Sequence, residues 1–409
     1  MNKTFVTIVP HIDNIELRKD TGQLPYHFGK LSNVQTKLVT YFYTLEGGRK
    51  LGASSIPPES SAEIDYNYPY LKSETRGLNI LFLPFKGRRQ FFEKAILDYL
   101  NAESKNIDVL NLFHFSAENV FYCLFYKLRN PKGKIYIKLD IDVLFYKSRK
   151  NFFNVGGKFG FIKNWVSSKI LLPLFFNKVT LFSAESKEGL EYFTNRFPLS
   201  KNKTILIYNG VDRERIETLA QGLLPFEKKE NIVIVVGPPG DVNKNHTFLL
   251  QALKNIDLGA WKIYFVGKII NDFDIYINKF FLENPQLKES IIFTGHISDP
   301  LELYKLYNKS KIFCMPSLGE GFPLSAVEAA TFGNVLLLSE NIYSYNALTN
   351  NGEGGEKFSL QNTHDLELKI TKLFSESDTL YKKHQFITQY AQREFDWKQI
   401  VKKIKNYLD

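Results

Sequence analysis

The chain has 409 residues, 44% of them hydrophobic and 23% charged, with a formal net charge of +10. That length and balance exclude a disordered or fibrous chain and give material for two cores. Only two cysteines, Cys123 and Cys314, are present, both inside apolar runs, which excludes a disulfide-stapled small domain and fits free buried thiols in a reducing cytoplasm.

The N-terminus runs directly into a strand-like segment without a signal-peptide pattern. Strands are expected over 4–10, 37–44, 78–83, 109–113, 134–139 and 178–183, with helical periodicity over 89–100. Several of these strands are apolar on consecutive positions, as in parallel strands buried on both faces. Residues 204–212 read as a last strand and a turn, and the polar stretch 213–230 as a linker. The alternation then restarts. Strands 232–236, 261–266 and 290–293 each run out into a glycine (Gly237, Gly267, Gly295). Helices are expected at 246–255 and 301–309, and strands at 311–315 and 335–338. The pattern is α/β with two doubly wound, Rossmann-like domains, 1–212 and 231–385, and a closing segment 386–409 that ends in a basic amphipathic helix. The longest apolar stretch, 170–176, is far short of the roughly 20 residues that cross a bilayer.

Chemistry concentrates after the strand 311–315. Two carboxylates, Glu320 and Glu328, stand eight positions apart, separated by Gly321-Phe322-Pro323 and the start of a helix at Leu324-Ser325. A strand, a glycine-containing loop and a helix N-terminus offer free N–H groups and a positive dipole end to a phosphate. Flanking carboxylates suit sugar hydroxyls. A nucleotide sugar has that shape. On spacing alone, two solvated glutamates are the commoner reading.

The whole frame Glu320-Gly321-Phe322-Pro323-Leu324 through Glu328-Ala329 resembles the donor-site signature of the family 4 retaining glycosyltransferases, which have the GT-B fold. Asn209-Gly210-Val211-Asp212 is similar to the family's Asn-Gly-Val-Asp turn, and Phe293-Thr294-Gly295-His296 to its Phe-x-Gly segment, where the backbone meets the nucleobase. The loop Val236-Gly237-Pro238 through Lys244-Asn245 is similar to its Val-Gly-Arg…Lys-Asn/Gly loop. The resemblance implies that Lys244 contacts the donor diphosphate, so that neither metal nor cofactor is required. It also implies that Glu320 holds the donor sugar, that Glu328 holds the ribose, and that amides near Pro323–Ser325 hold the phosphates. The donor would lie in a cleft between the domains, and the closing helix would pack back on the first. Pro238 stands where the family has an arginine; either another cation such as Lys268 substitutes or activity is reduced.

The first half matches weakly. Asp20-Thr21-Gly22-Gln23 is expected to serve as the family's glycine-rich loop, with Gly22 close to the donor phosphate. His114 and Asp140 end strands where the family carries acceptor-facing histidines. Asp140-Ile141-Asp142 also spells the metal-holding triplet of the other common transferase fold, a reading that conflicts with the second-domain motifs.

Together these imply a cytoplasmic, metal-independent, retaining hexosyltransferase. It would use a nucleotide sugar, UDP-sugar favoured, and a glycan, lipid-linked or protein acceptor. Two rivals stand beside it: a nucleotide-sugar epimerase on the same fold, and a non-catalytic subunit of a partner transferase. The positive charge is assigned to an anionic membrane surface or lipid-phosphate acceptor rather than nucleic acid, for which no motif is present. Basic and aromatic residues from Lys147 to Phe176, with Arg88, Arg89, Phe91 and Phe92, fit either interfacial docking or an ordinary helix burying its aromatics.

Overall fold

The computed structural model describes residues 3–46, 49–89, 92–139 and 167–409. The chain divides into two compact units, Met1–Tyr208 with Ile400–Asp409, and Asn209–Gln399.

The first unit is built on a seven-stranded, wholly parallel sheet. In spatial order its strands are Thr204–Leu206, Leu181–Ala184, Lys134–Leu139, Val109–Phe113, Lys3–Ile8, Val34–Tyr41 and Ile80–Leu83. All five residues of Val109–Phe113 are buried, as consecutive apolar positions in a two-sided layer require. The helix Ala117–Arg129 returns the chain across one face, started by Ser116, whose Oγ accepts from the Asn119 N–H at 3.2 Å. Phe115, Phe175, Phe176, Phe182, Phe193 and Phe197 interlock beneath it, with ring centroids 5.0–6.1 Å apart. Phe175 and Phe176 therefore belong to the core. Residues 140–166 and Phe91 lie outside the described residues.

The second unit has a six-stranded parallel sheet in the order Ile291–Gly295, Lys262–Val266, Ile232–Val236, Ile312–Met315, Val335–Ser339 and Gly355–Phe358. Its core lies against His246–Leu253 and Thr363–Ser375, and Trp261 stacks on Phe374 with centroids 4.1 Å apart. Two doubly wound parallel sheets bear out the α/β reading.

Three expectations differ. The helix expected over 89–100 runs Lys94–Glu103, because Arg88–Arg89 and Phe92–Glu93 first pair antiparallel. The stretch 213–230 has structure of its own. Asp212 caps the helix Arg213–Leu219, Phe226 is buried, and buried Lys229 donates to the carbonyls of Asn308 and Ser310. In the closing segment, Ser377–Glu394 stays with the second unit, and only Ile400–Asp409 groups with the first. There Asp409 pairs with Lys3 and the Leu408 carbonyl accepts from Lys134.

Candidate functional site

In each sheet the first strand lies inside and the chain then winds outward in both directions. Where the direction reverses, adjacent strand ends send their loops apart and leave a crevice at the carboxyl edge. In the second unit the reversal falls between Ile232–Val236 and Ile312–Met315. The loops that follow these two strands carry Lys244 and Glu320, which explains why residues 76 positions apart meet.

The first loop is shaped by glycine. Gly237 has φ +150°, and a Cβ there would stand 3.1 Å from Lys244 Cδ, so the lysine stem lies along bare backbone. Gly267 has φ +156°, and its Cβ would fall 2.3 Å from the Gly237 carbonyl oxygen. Its N–H donates to the Gly295 carbonyl at 3.0 Å, and Gly237 N–H donates to Val266 at 2.9 Å, so the three glycine-ended strands align along one edge. Beyond Gly237, Asp241 Oδ1 accepts from the N–H groups of Asn243 (2.8 Å) and Lys244 (3.3 Å). Asn245 turns left-handed at φ +52° and the helix His246–Leu253 begins. His246 is buried under the loop against Phe265; burial, then the nearby Lys244 charge, pushes its pKa down to about 4.

The second loop is tied down by two asparagines. Leu318 N–H donates to the Asn243 carbonyl at 2.7 Å, and Asn243 Nδ2 donates to the Gly319 carbonyl at 3.0 Å. Asn341 Nδ2 donates to the Leu318 carbonyl at 2.9 Å, and Tyr343 N–H to the Glu320 carbonyl at 3.2 Å. Glu320 Oε1 then lies 2.6 Å from Lys244 Nζ, with the two side chains 20% and 23% exposed, so a ligand can reach both. Phe322 sets its ring edge-on to Phe395. Pro323 is buried and opens the helix Leu324–Thr331. The first N–H groups of that helix, at Leu324 and Ser325, have no intrahelical partner and point their dipole end toward the loop. Gly321 is exposed before it, and Glu328 sits half-buried a turn further on. A diphosphate-sized anion has a cation, a helix end and flexible glycine backbone on hand here. Gly295 ends its strand at φ +71° with open space beside its Cα, two strands from Gly237 on that edge.

The structure thus gathers Lys244, Glu320, Gly321, Phe322, Pro323, Leu324, Ser325 and Glu328 into one neighbourhood, with Gly295 along the same sheet edge. Gly22 and His114 belong to the first unit. The loop expected at 20–23 is instead the first turn of the helix Asp20–Gly29. Gly22 is buried there, and a Cβ would stand 2.5 Å from Leu17 Cα and carbonyl oxygen, so packing by itself calls for a glycine. His114 follows its strand at the reversal point of the first sheet, exposed and at φ +67°, with its N–H donating to the Lys138 carbonyl at 2.8 Å. A left-handed non-glycine residue at such an edge is a strained conformation of the kind that collects at functional sites. Asp140 and Asp142 lie outside the described residues.

Sequence reasoning missed Asn243 and Asn341, since loop asparagines carry no pattern of their own. It also missed Lys138, which is fully buried with its ammonium 2.8 Å from Asp20 and bonded to Glu185. A lone lysine inside the apolar strand Lys134–Leu139 was the available signal.

Two parallel, doubly wound sheets with their helices are the architecture of the GT-B fold. Residues 218–394 match the family described as Glycosyl transferases group 1. The chain is 24% identical over 246 residues to the N-acetylgalactosamine-N,N'-diacetylbacillosaminyl-diphospho-undecaprenol 4-alpha-N-acetylgalactosaminyltransferase of Campylobacter jejuni, covering 60% of this chain and 64% of that protein. It is 28% identical over 160 residues to an uncharacterized 41.2 kDa protein in the cps region of Klebsiella pneumoniae, covering 38% and 42%. The chain therefore spans less than two thirds of the curated relatives it matches. Among solved structures, a glycosyltransferase from Rickettsia africae aligns over 99% of this chain and 98% of its own with a TM-score of 0.66 at 16% identity. Anabaena HepE in complex with UDP aligns over 100% and 99% with a TM-score of 0.63 at 14% identity.

Proposed function

We propose that this chain is a retaining, metal-independent glycosyltransferase that moves a hexose from a nucleotide sugar, UDP-sugar favoured, to a glycan or lipid-linked acceptor. The observation that carries the reading is the Lys244–Glu320 pair, 2.6 Å apart, at the reversal point of the second sheet beside a helix N-terminus. Glu320 receives the donor sugar's hydroxyls and Glu328 the ribose. The amides of Gly321, Leu324 and Ser325, with Lys244, receive the diphosphate, and the Gly295 backbone faces the base. As negative charge grows on the leaving diphosphate, the Lys244 ammonium and the helix end stabilise it without reorganisation. The bond from the sugar's anomeric carbon to phosphate oxygen breaks, and a bond to the acceptor oxygen forms on the same face. The acceptor proton passes to the departing phosphate oxygen. His114 and Asp140 are assigned to the acceptor side. The UDP preference is supported by the UDP bound to Anabaena HepE, and the lipid-linked acceptor by the name of the Campylobacter relative. A cytoplasmic enzyme held at the inner membrane face fits that acceptor.

The test is nucleoside diphosphate release from UDP-, GDP- and ADP-sugars, with and without EDTA. One donor should give EDTA-resistant release. Lys244→Ala and Glu320→Gln should each lower it by about 100- to 1,000-fold, while Glu328→Ala should act mainly on donor affinity. Near-normal turnover in all three refutes the site. Pro238, in the place of the family arginine, favours one second reading, a non-catalytic subunit. Donor binding without release, restored by a partner, would establish it.

A further inference from the structure

We propose that Asn243 is a positioning residue that holds the Glu320 carboxylate for the donor sugar, and that its hold matters most once Lys244 is drawn onto the diphosphate. The inference rests on the reading of this loop as the donor site. Asn243 Nδ2 lies 3.0 Å from the Gly319 carbonyl and 3.2 Å from Glu320 Oε1. Both neighbours only accept, so the side-chain amide has to present its NH₂ group to them. The backbone fixes the donor in turn, because Asn243 N–H is held by Asp241 at 2.8 Å and its carbonyl accepts from Leu318 at 2.7 Å.

Lys244 Nζ and Asn243 Nδ2 converge on the same oxygen, Oε1. Among the described residues Oε2 takes no hydrogen bond, which leaves it presented to a sugar hydroxyl. A bound diphosphate competes strongly for an ammonium and weakly for a neutral amide. Without Asn243, Glu320 would lose its remaining anchor when the donor arrives. The consequence is specific to the sugar: a free nucleoside diphosphate does not call on Glu320 and should bind as before.

The experiment uses the full chain and the donor panel above. Asn243→Ala should reduce release about tenfold, the scale of one hydrogen bond to a charged group at a half-open site. UDP, GDP and ADP binding, measured by calorimetry, should stay within about twofold of wild type. Asn243→Asp sets a carboxylate against Glu320 and should cost roughly 100-fold near pH 8, recovering toward the alanine variant near pH 5 as one of the facing carboxylates takes a proton. Asn243 is exposed, so neither change threatens folding. Equal losses for the two variants with one pH profile would show a purely structural tie and overturn the proposal. Slow Lys244→Ala and Glu320→Gln variants beside a normal Asn243→Ala would sink the positioning role and leave the donor site standing. Normal turnover in Lys244→Ala and Glu320→Gln would remove the donor site itself, and the proposal with it.

Discussion

Replacing Lys138 with methionine should expose how the carboxyl edge of the first sheet is held. The lysine has 0% exposure, while the side chains of Asp20 and Glu185 are 16% and 12% exposed. Burial works against its charge, but Asp20 and then Glu185 outweigh it and hold the ammonium above its ordinary range. A raised folded pKa contributes stability that is complete below lysine's unfolded value of 10.5 and fades only as pH rises past it. The cluster is therefore fully effective at neutral pH. Lys138→Met leaves two carboxylates, formerly bridged by one ammonium, facing each other with little water. Breaking a buried pair in this way costs about 3–5 kcal/mol, a large part of the roughly 5–15 kcal/mol that holds a domain. Urea unfolding near pH 8, followed by far-UV circular dichroism, measures it. The loss should shrink near pH 5, where a carboxylate can take a proton. The triple variant Asp20→Asn, Lys138→Met, Glu185→Gln should regain most of it, since no charge is then stranded. A loss under about 1 kcal/mol, or a triple variant no better than the single one, would refute the reasoning.

Two further outcomes follow from other parts of the chain. His246 is neutral in the fold, with its pKa near 4 against an ordinary 6.5, so the unfolded chain takes the proton first on acidification. Its contribution, about 3 kcal/mol, is present above pH 6.5 and lost as pH falls toward 4; unfolding free energy over that window should be flatter for His246→Phe, and an unchanged slope would contradict it. Ile170 and Leu174 are 46% and 45% exposed, one helical turn apart, with exposed Lys169 and Lys178 close in sequence. We propose that this face meets an anionic leaflet. Lys169→Glu with Lys178→Glu should reduce co-sedimentation with phosphatidylglycerol vesicles, and unchanged sedimentation would remove the membrane role.

How much was legible in the sequence varies by element. Strands buried on both faces announce themselves, and 109–113 and 134–139 form where the apolar runs stand. Gly22 did not, because a glycine demanded by Leu17 packing looks the same in sequence as one demanded by a phosphate. Nor did the charged stretch 213–230 show that Lys229 is buried, with its Nζ donating to two carbonyls.

The alternation of strands and helices, hence two parallel sheets, was readable along the chain. Through the Glu320–Glu328 frame the sequence also points to the loop proposed as the donor site. Those signals are local: periodicity of 2 or 3.6 residues, and a turn motif within one helix's reach. The packing of whole layers brings the loop holding Lys244 onto the loop holding Glu320, with Asn243 stitching the two together. It alone set Lys138 between Asp20 and Glu185. Those contacts join residues 47 to 118 positions apart, and they depend on strand order. Strand order is chosen by how whole layers pack, a property that no short window of residues contains.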